Sequence, residues 1–323
     1  MRVLITTIPF ASVSSRPLDI LRDAGIEPVV NPLGRKPTES ELCDMIRGFD
    51  LLIAGTEPIT DRVMAAEPGL RIISRVGIGL DNVDLAAARQ RGIAVTYTPD
   101  APAPAVAELT IGLMLSLLRS VHTTNTGLRT TGWRRVMGRR LGLVTVGVIG
   151  AGRVGRRVMT LLSAFGSSVL ANDLEPARDI PNVSWVGKDE LYERADVISV
   201  HVPLTPDTRN LIAAPQLSRM KSDAMLVNTA RGGIINERDL AAALRAGRLA
   251  GVALDVFDDE PYSGELLGID RCLLTCHMGS MSVDCRARME LEAAENVLRC
   301  LKGHASAQLV PESEYLLHGT RTP

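Results

Sequence analysis

Apolar residues along this chain come in short runs separated by amphipathic stretches. Aliphatic and β-branched segments recur as "RVLIT" at 2–6, "LLIA" at 51–54, "RIISRV" at 71–76 and "IAVTYT" at 93–98. They resume as "VTVGVIG", "SVLAND", "DVISVHV", "AMLVNT", "LAGVALDV" and "CLLTC". Between them lie helical patterns such as "RPLDILRDAG" and "DLAAARQRG", each closed by a glycine of the kind that ends helices. A strand that is apolar at every position is buried on both faces, which calls for a parallel sheet covered by helices. Two such series predict an α/β protein with two doubly wound parallel-sheet domains.

The connections refine this layout. Residues 104–131 read as one long helix that starts after the Pro-rich "TPDAPAPA". A final helical stretch at 282–302 follows the last strand and is expected to return the chain to the first domain, making that domain discontinuous. The expected division is a substrate-binding domain at 1–100 plus 283–323 and a cofactor-binding domain at 101–282. The tail "PESEYLLHGTRTP" is expected to be mobile.

Composition narrows the function classes. At 323 residues the chain exceeds a single core, and 46% hydrophobic content fits a packed globular protein. The 36 basic and 37 acidic residues leave a formal charge of −1, which argues against nucleic-acid or membrane-surface binding driven by bulk charge. The five cysteines show no CxxC pair, so neither a disulfide framework nor a metal site is expected, and a reducing cytoplasm fits best. "MRVLITTIPF" opens directly on a strand, without the layout of a cleavable signal. "AVAELTIGLMLSLL" carries Glu108 and is too short to span a bilayer.

The stretch "VTVGVIGAGRVGRRV" carries the strongest chemical signal. Gly150, Gly152 and Gly155 follow a strand and open an amphipathic helix, and a second strand ends in Asp173, 18 residues beyond Gly155. In a dinucleotide-binding turn the first glycine permits the tight turn and the second lets the backbone approach a pyrophosphate. The third lets helix and strand pack closely, while the helix N-terminus attracts the phosphate. The acid at Asp173 accepts both ribose hydroxyls and repels a 2′-phosphate, which favours NAD over NADP, with Arg178 as the nearby cation that opposes this reading.

Hydride transfer from an alcohol to NAD also needs a base, a cation for a neighbouring carboxylate and a group that tunes the base. Ligands in such folds sit at the C-terminal ends of the strands. There the chain places Arg231 in "NTARGG", Glu260 in "DVFDDEP" and His277 in "CHMGS". Each alone has a structural explanation, but three complementary groups on three successive strand ends point to a site. His201, ending its strand in "HVPLTPDTRNLI", is expected to line the cofactor cleft. His122, His304 and His318 are weaker candidates, on the long helix and in the tail.

The segments "RVGIGLDNVD", "GVIGAGRVGRRV", "HVPLTPDTRNLI", "NTARGGIINERDLAAALRAGRLAGVALDVFDDEP" and "CHMGS" resemble the D-2-hydroxyacid dehydrogenase family, and within it the 3-phosphoglycerate dehydrogenases. The resemblance runs from about residue 50 to about residue 300. It implies a Rossmann domain, a flavodoxin-like second domain, and a catalytic triad of Arg231, Glu260 and His277. It further implies NAD contacts at Arg153, Val154, Thr229, Ala230, Asp255 and Gly279, with Asp255 near the nicotinamide, and a homodimer formed through the cofactor domains. Substrate contacts are implied for the backbone of Val76 and Gly77, beside Arg231 and His277. Arg75, just before that turn, is placed to read a distal phosphate or phosphonate, so the expected substrate is a small phosphorylated or phosphonate-bearing D-2-hydroxy acid. The alternatives are a glyoxylate or hydroxypyruvate reductase and an NAD(H)-sensing binding protein like the family's co-repressors.

Two departures from the family pattern bear on specificity. Cys276 stands where the family has Pro before the His, and the interdomain turn reads "YTPDAPAPA", with Asp100 in place of the family's Asn-containing turn. The chain ends without the regulatory domain of many phosphoglycerate dehydrogenases, so serine feedback through such a domain is not expected.

Overall fold

A computed structural model describes residues 1–176, 180, 182–304 and 307–318; Arg178 lies outside the described residues. The chain divides into two compact units, Met1–Pro102 with Ser280–Pro323, and Ala103–Gly279.

The first unit begins as a strand–helix alternation. Strands β1 (Arg2–Ile5), β2 (Glu27–Val30), β3 (Leu51–Ala54), β4 (Ile72–Arg75) and β5 (Ala94–Thr96) alternate with α1 (Arg16–Asp23), α2 (Glu39–Met45), α3 (Asp61–Ala66) and α4 (Leu85–Gln90). Helix starts are set locally. Thr38 and Glu41 form a reciprocal capping box on α2, and the side chains of Thr60 and Asp84 accept backbone N–H groups of α3 and α4. The strands form one all-parallel sheet in the order β2-β1-β3-β4-β5, with β3 buried along its whole length.

The second unit opens with α5 (Ala103–Leu118) and α6 (Val121–Thr130). Then come β6 (Thr145–Ile149), α7 (Arg153–Phe165), β7 (Ser168–Asn172), β8 (Val183–Trp185), α8 (Lys188–Arg194) and β9 (Val197–Val200). The unit finishes with α9 (Ala214–Arg219), β10 (Met225–Asn228), α10 (Glu237–Arg245), β11 (Gly251–Leu254) and β12 (Cys272–Leu274). Its sheet is also all parallel, in the order β12-β11-β10-β9-β6-β7-β8. Strand order reverses between β6 and β9, so the glycine turn after β6 opens at the sheet's switch point, where ligands of such folds bind. The chain then returns to the first unit as α11 (Val283–Leu301) and α12 (Glu312–His318).

Two expectations need correction. The long helix of 104–131 is two helices, bent by 57° at Ser120, whose φ of 51° is left-handed. Helix α5 is apolar nearly all round and packs Ala107, Ile111, Met114 and Leu117 into the core, whereas α6 buries nothing. The sequence "VHTTNTGLRT" of α6 is rich in threonines whose hydroxyls bond back to carbonyls, as Thr124 does to Ser120 O at 2.7 Å and Thr130 to Thr126 O at 2.9 Å. No single helix among the described residues is long and apolar enough to cross a membrane.

The described part of the tail, residues 311–318, expected to be mobile, forms α12 and is anchored. Arg89 grips Glu312 with two bonds of 3.0 and 2.6 Å, and its guanidinium lies 3.7 Å from the ring centroid of Tyr315. Two edge strands, β2 ("EPVV") and β8 ("VSW"), also escape the apolar pattern because each is only partly covered.

Candidate active site

The strand ends of the second unit gather most of the residues singled out by sequence. Gly150, at φ 97°, makes the turn after β6, and a side chain there would come 2.6 Å from His201 O. A Cβ on Gly155 would overlap Gly150 O, so helix α7 lies against the turn at glycine distance. At Gly152, by contrast, a Cβ would meet nothing within 4 Å, and no side chain caps the N-terminus of α7. The backbone is therefore open on the side from which a pyrophosphate would approach, and the turn fits a dinucleotide. Asp173 closes this cradle: its Oδ2 accepts Ala151 N at 2.5 Å and its Oδ1 accepts Glu175 N at 3.0 Å. Arg153 and Val154 form the first turn of α7.

His201 ends β9 with its Nε2 2.8 Å from Ser199 Oγ, and burial pushes the imidazole down to about 3. The cause is burial, which disfavours the charged ring. Burial also lowers His122, opposed by the Ser116 backbone.

The turn after β10 is tied by Asn228. Its side chain accepts Ala230 N at 3.0 Å and donates to Arg231 O at 2.8 Å, while Arg231 Nη1 donates to Ala230 O at 2.7 Å. Thr229 is buried, with its hydroxyl 2.8 Å from that of Thr110 on α5. A Cβ on Gly232 would overlap Phe257 O, so the Arg231 turn lies directly against the turn after β11.

That next turn carries Glu260, and the one after β12 carries His277. Glu260 Oε1 accepts Phe257 N at 3.2 Å, and its Oε2 stands 2.8 Å from His277 Nδ1. The loop holding His277 is built around Asp255, a carboxylate only 1% exposed. Asp255 Oδ1 accepts the Thr275 hydroxyl at 2.6 Å and Met278 N at 2.9 Å, Oδ2 accepts Gly279 N at 2.8 Å, and the backbone oxygen accepts His277 N at 2.7 Å. These bonds hold His277 at φ 49°, a left-handed conformation uncommon for a residue with a Cβ.

The remaining expected residues lie in the first unit. Val76 N donates to Ala54 O at 2.8 Å and Gly77 N to the Thr98 hydroxyl at 2.8 Å, so both donors are already engaged. Among the described residues, the N–H groups of Ile78, Gly79, Leu80 and Asn82 donate to nothing, and those of Ile78 and Gly79 come first after the strand. Arg75 is 4% exposed and folds back on the same turn, donating to Val76 O through Nη1 and to Asn82 Oδ1 through Nε at 3.2 Å.

Residues 111–279 match the family model of the D-isomer-specific 2-hydroxyacid dehydrogenase NAD-binding domain. A glyoxylate reductase of Thermofilum pendens is 38% identical over 287 residues, covering 85% of each chain. The chain belongs to the D-2-hydroxyacid dehydrogenases. A D-3-phosphoglycerate dehydrogenase of Methanocaldococcus jannaschii is 36% identical over 302 residues, 91% of this chain and 57% of that protein. The chain spans 53% of a D-3-phosphoglycerate dehydrogenase of Synechocystis sp., about half the length of that relative. The solved structure of the TT0316 protein from Thermus thermophilus superposes with a TM-score of 0.88 at 37% identity, covering 96% of this chain and all of that one.

This dehydrogenase is thus an NAD-dependent oxidoreductase with two parallel-sheet units, one of them a Rossmann fold. Its sequence reading missed Asn228 and Thr275. The Asn228 contact was readable, since Asn before a turn accepts the N–H two residues on. Thr275 and His277 alternate on an extended strand end, but nothing local marks the threonine as a brace. In Asp255→Asn, an amide NH2 must face one of the donors now satisfied by carboxylate. That change is expected to cost about 1–3 kcal/mol of stability, read as a lowered Tm of the isolated protein. An unchanged Tm would mean that the loop does not depend on this carboxylate.

Proposed function

We propose that the protein moves a hydride between nicotinamide and C2 of a small D-2-hydroxy acid or its 2-keto acid. The observation that carries this reading is the 2.8 Å pair of His277 Nδ1 and Glu260 Oε2. Glu260 accepts a hydrogen bond from Nδ1–H, which leaves Nε2 as the atom that exchanges a proton with the substrate oxygen. Bound NAD supplies the hydride acceptor. The Gly150–Gly155 turn, with Arg153 and Val154, would hold its pyrophosphate, and Asp173 its ribose hydroxyls. His201, Thr229, Ala230 and Gly279 would line the cofactor. Asp255 acts on the His277 loop, where its oxygens are engaged. Arg231 is the fork for the substrate carboxylate; in the first unit, Ile78 N and Gly79 N are backbone donors of the kind that receive a carboxylate.

The pairing has a consequence for turnover. Glu260→Gln removes the carboxylate that orients the ring through Nδ1 and is expected to lower kcat for keto-acid reduction by about 10²-fold. His277→Asn is expected to cost about 10²–10⁴ in kcat, with NADH affinity little changed. Both are read at 340 nm with NADH and a panel of glyoxylate, hydroxypyruvate and phosphorylated keto acids. Near-normal turnover by His277→Asn would end the assignment.

The distal end of the substrate has two readings. An arginine at position 75 fits a phosphate or phosphonate, as in the phosphoglycerate dehydrogenases. Its burial and its bonds to Val76 O and Asn82 favour the other reading, in which it supports the turn and the substrate is a small acid such as glyoxylate or hydroxypyruvate. On that reading Arg75→Ala raises KM for phosphorylated and unphosphorylated keto acids alike. A KM rise confined to the phosphorylated acids would restore the phosphate reading.

We also propose a homodimer formed through α6 and the segment after it. That region exposes Leu128, Trp133 (84%) and Met137 (98%), an apolar surface that a second copy would cover. Sedimentation should show a dimer that Trp133→Asp with Met137→Asp converts to monomer; a monomeric wild type would refute it.

A further inference from the structure

The first unit contains a polar hub that the proposed chemistry does not use. The turn after β3 runs from Gly55 to Glu57, and the turn after β4 carries the donors of Ile78 and Gly79. Both lie at the C-terminal edge of the sheet. Asn82 joins them. Its Nδ2 donates to Gly55 O at 3.2 Å and to Glu57 O at 2.7 Å, and its Oδ1 accepts Arg75 Nε at 3.2 Å. Its backbone oxygen also accepts Ile59 N at 2.8 Å. Two carbonyls and one guanidinium N–H leave a single orientation for the amide, since the reverse flip would set oxygen against oxygen and NH2 against N–H.

The groups on either side of Asn82 are themselves fixed. Glu57 is buried, and its Oε1 accepts Gly55 N at 2.9 Å and the Thr6 hydroxyl, pinning the first turn to the end of β1. Arg75 passes the tie onward to Val76 O. A Cβ on Gly77 would come 2.7 Å from Arg75 Nη1, so the guanidinium lies against the backbone of the second turn.

We infer that Asn82 is a positioning residue that sets the second turn against the first and so aims the N–H groups of Ile78 and Gly79. This rests on the reading above that those donors receive the substrate carboxylate. Asn82 touches no reacting atom. Its effect belongs in KM, because a misaimed donor weakens the hold on the carboxylate while the His277 machinery and the NAD-binding turn lie in the other unit.

Two variants test the bridge. Asn82→Ala removes both ties, whereas Asn82→Asp keeps an acceptor for Arg75 and loses the donors to Gly55 O and Glu57 O. Both are expected to raise KM for the keto acids of the panel by about 10–100-fold. In both, kcat should stay within about threefold and the Kd for NADH, from fluorescence titration, should be unchanged. Amide hydrogen exchange over residues 76–80 should quicken in both, with exchange in α7 unaltered. Normal KM and exchange in Asn82→Asp would show that the Arg75 tie alone suffices and overturn the bridge. Joint losses in kcat, KM and NADH affinity with a lowered Tm would reduce Asn82 to general stability. Failure of the wild type to turn over any keto acid would instead count against the proposed function, and the exchange measurement would still judge the bridge.

Discussion

Asp255 puts a carboxylate where almost no solvent reaches, and a buried charge is tolerated only when its lone pairs are filled. Here they are filled by the loop after β12: a hydroxyl from Thr275 and the backbone N–H groups of Met278 and Gly279. The loop has little freedom to adopt another shape without stranding one of these donors or the charge itself. That constraint holds His277 in a backbone conformation it would otherwise avoid, with its ring facing Glu260. The proton exchange proposed for this pair would need such rigidity, because proton transfer falls off sharply when donor and acceptor are misaligned.

The parallel sheet supplies the rest of the arrangement. All strands of a parallel sheet end on the same edge, so residues more than a hundred positions apart in the chain meet there. Gly150, His201, Arg231, Glu260 and His277 all follow strands of the second sheet. Glycines set the spacing between neighbouring turns. Gly155 against Gly150 O, and Gly232 against Phe257 O, are approaches that no larger residue permits. The same three-glycine turn leaves Gly152 facing open space, so close packing and an open phosphate cradle coexist within six residues.

The first unit shows how donor accounting changes a functional reading. The family resemblance implies substrate contacts for the backbone of Val76 and Gly77. In the fold the N–H of Val76 donates to Ala54 O and that of Gly77 to the Thr98 hydroxyl, while those of Ile78 and Gly79 donate to nothing among the described residues. Arg75 is likewise a cation in sequence and a structural donor in the fold, since its guanidinium is turned onto Val76 O and Asn82. A residue's chemistry is general; which partner claims it depends on what folds beside it.

Much of this protein was legible in its sequence. Apolar runs with helical patterns between them determined two parallel-sheet units, because only a strand covered on both faces can be apolar throughout. The glycine spacing with Asp173 determined the dinucleotide turn, since backbone clearance is a local property. The types and strand-end positions of Arg231, Glu260 and His277 marked the candidate site. Helix continuity across Ser120 was not legible, because α5 ends where its buried neighbours end and not at a glycine or proline. The ordered tail was not legible either, as it depends on Arg89, Glu312 and Tyr315 meeting. Only the tertiary structure decided which donors remain available, which arginine is already engaged, and that Asp255 and Thr275 hold the histidine loop. Each of these is a pairing between groups far apart in the chain, and one-dimensional order records which groups exist without recording which of them are brought within hydrogen-bond distance.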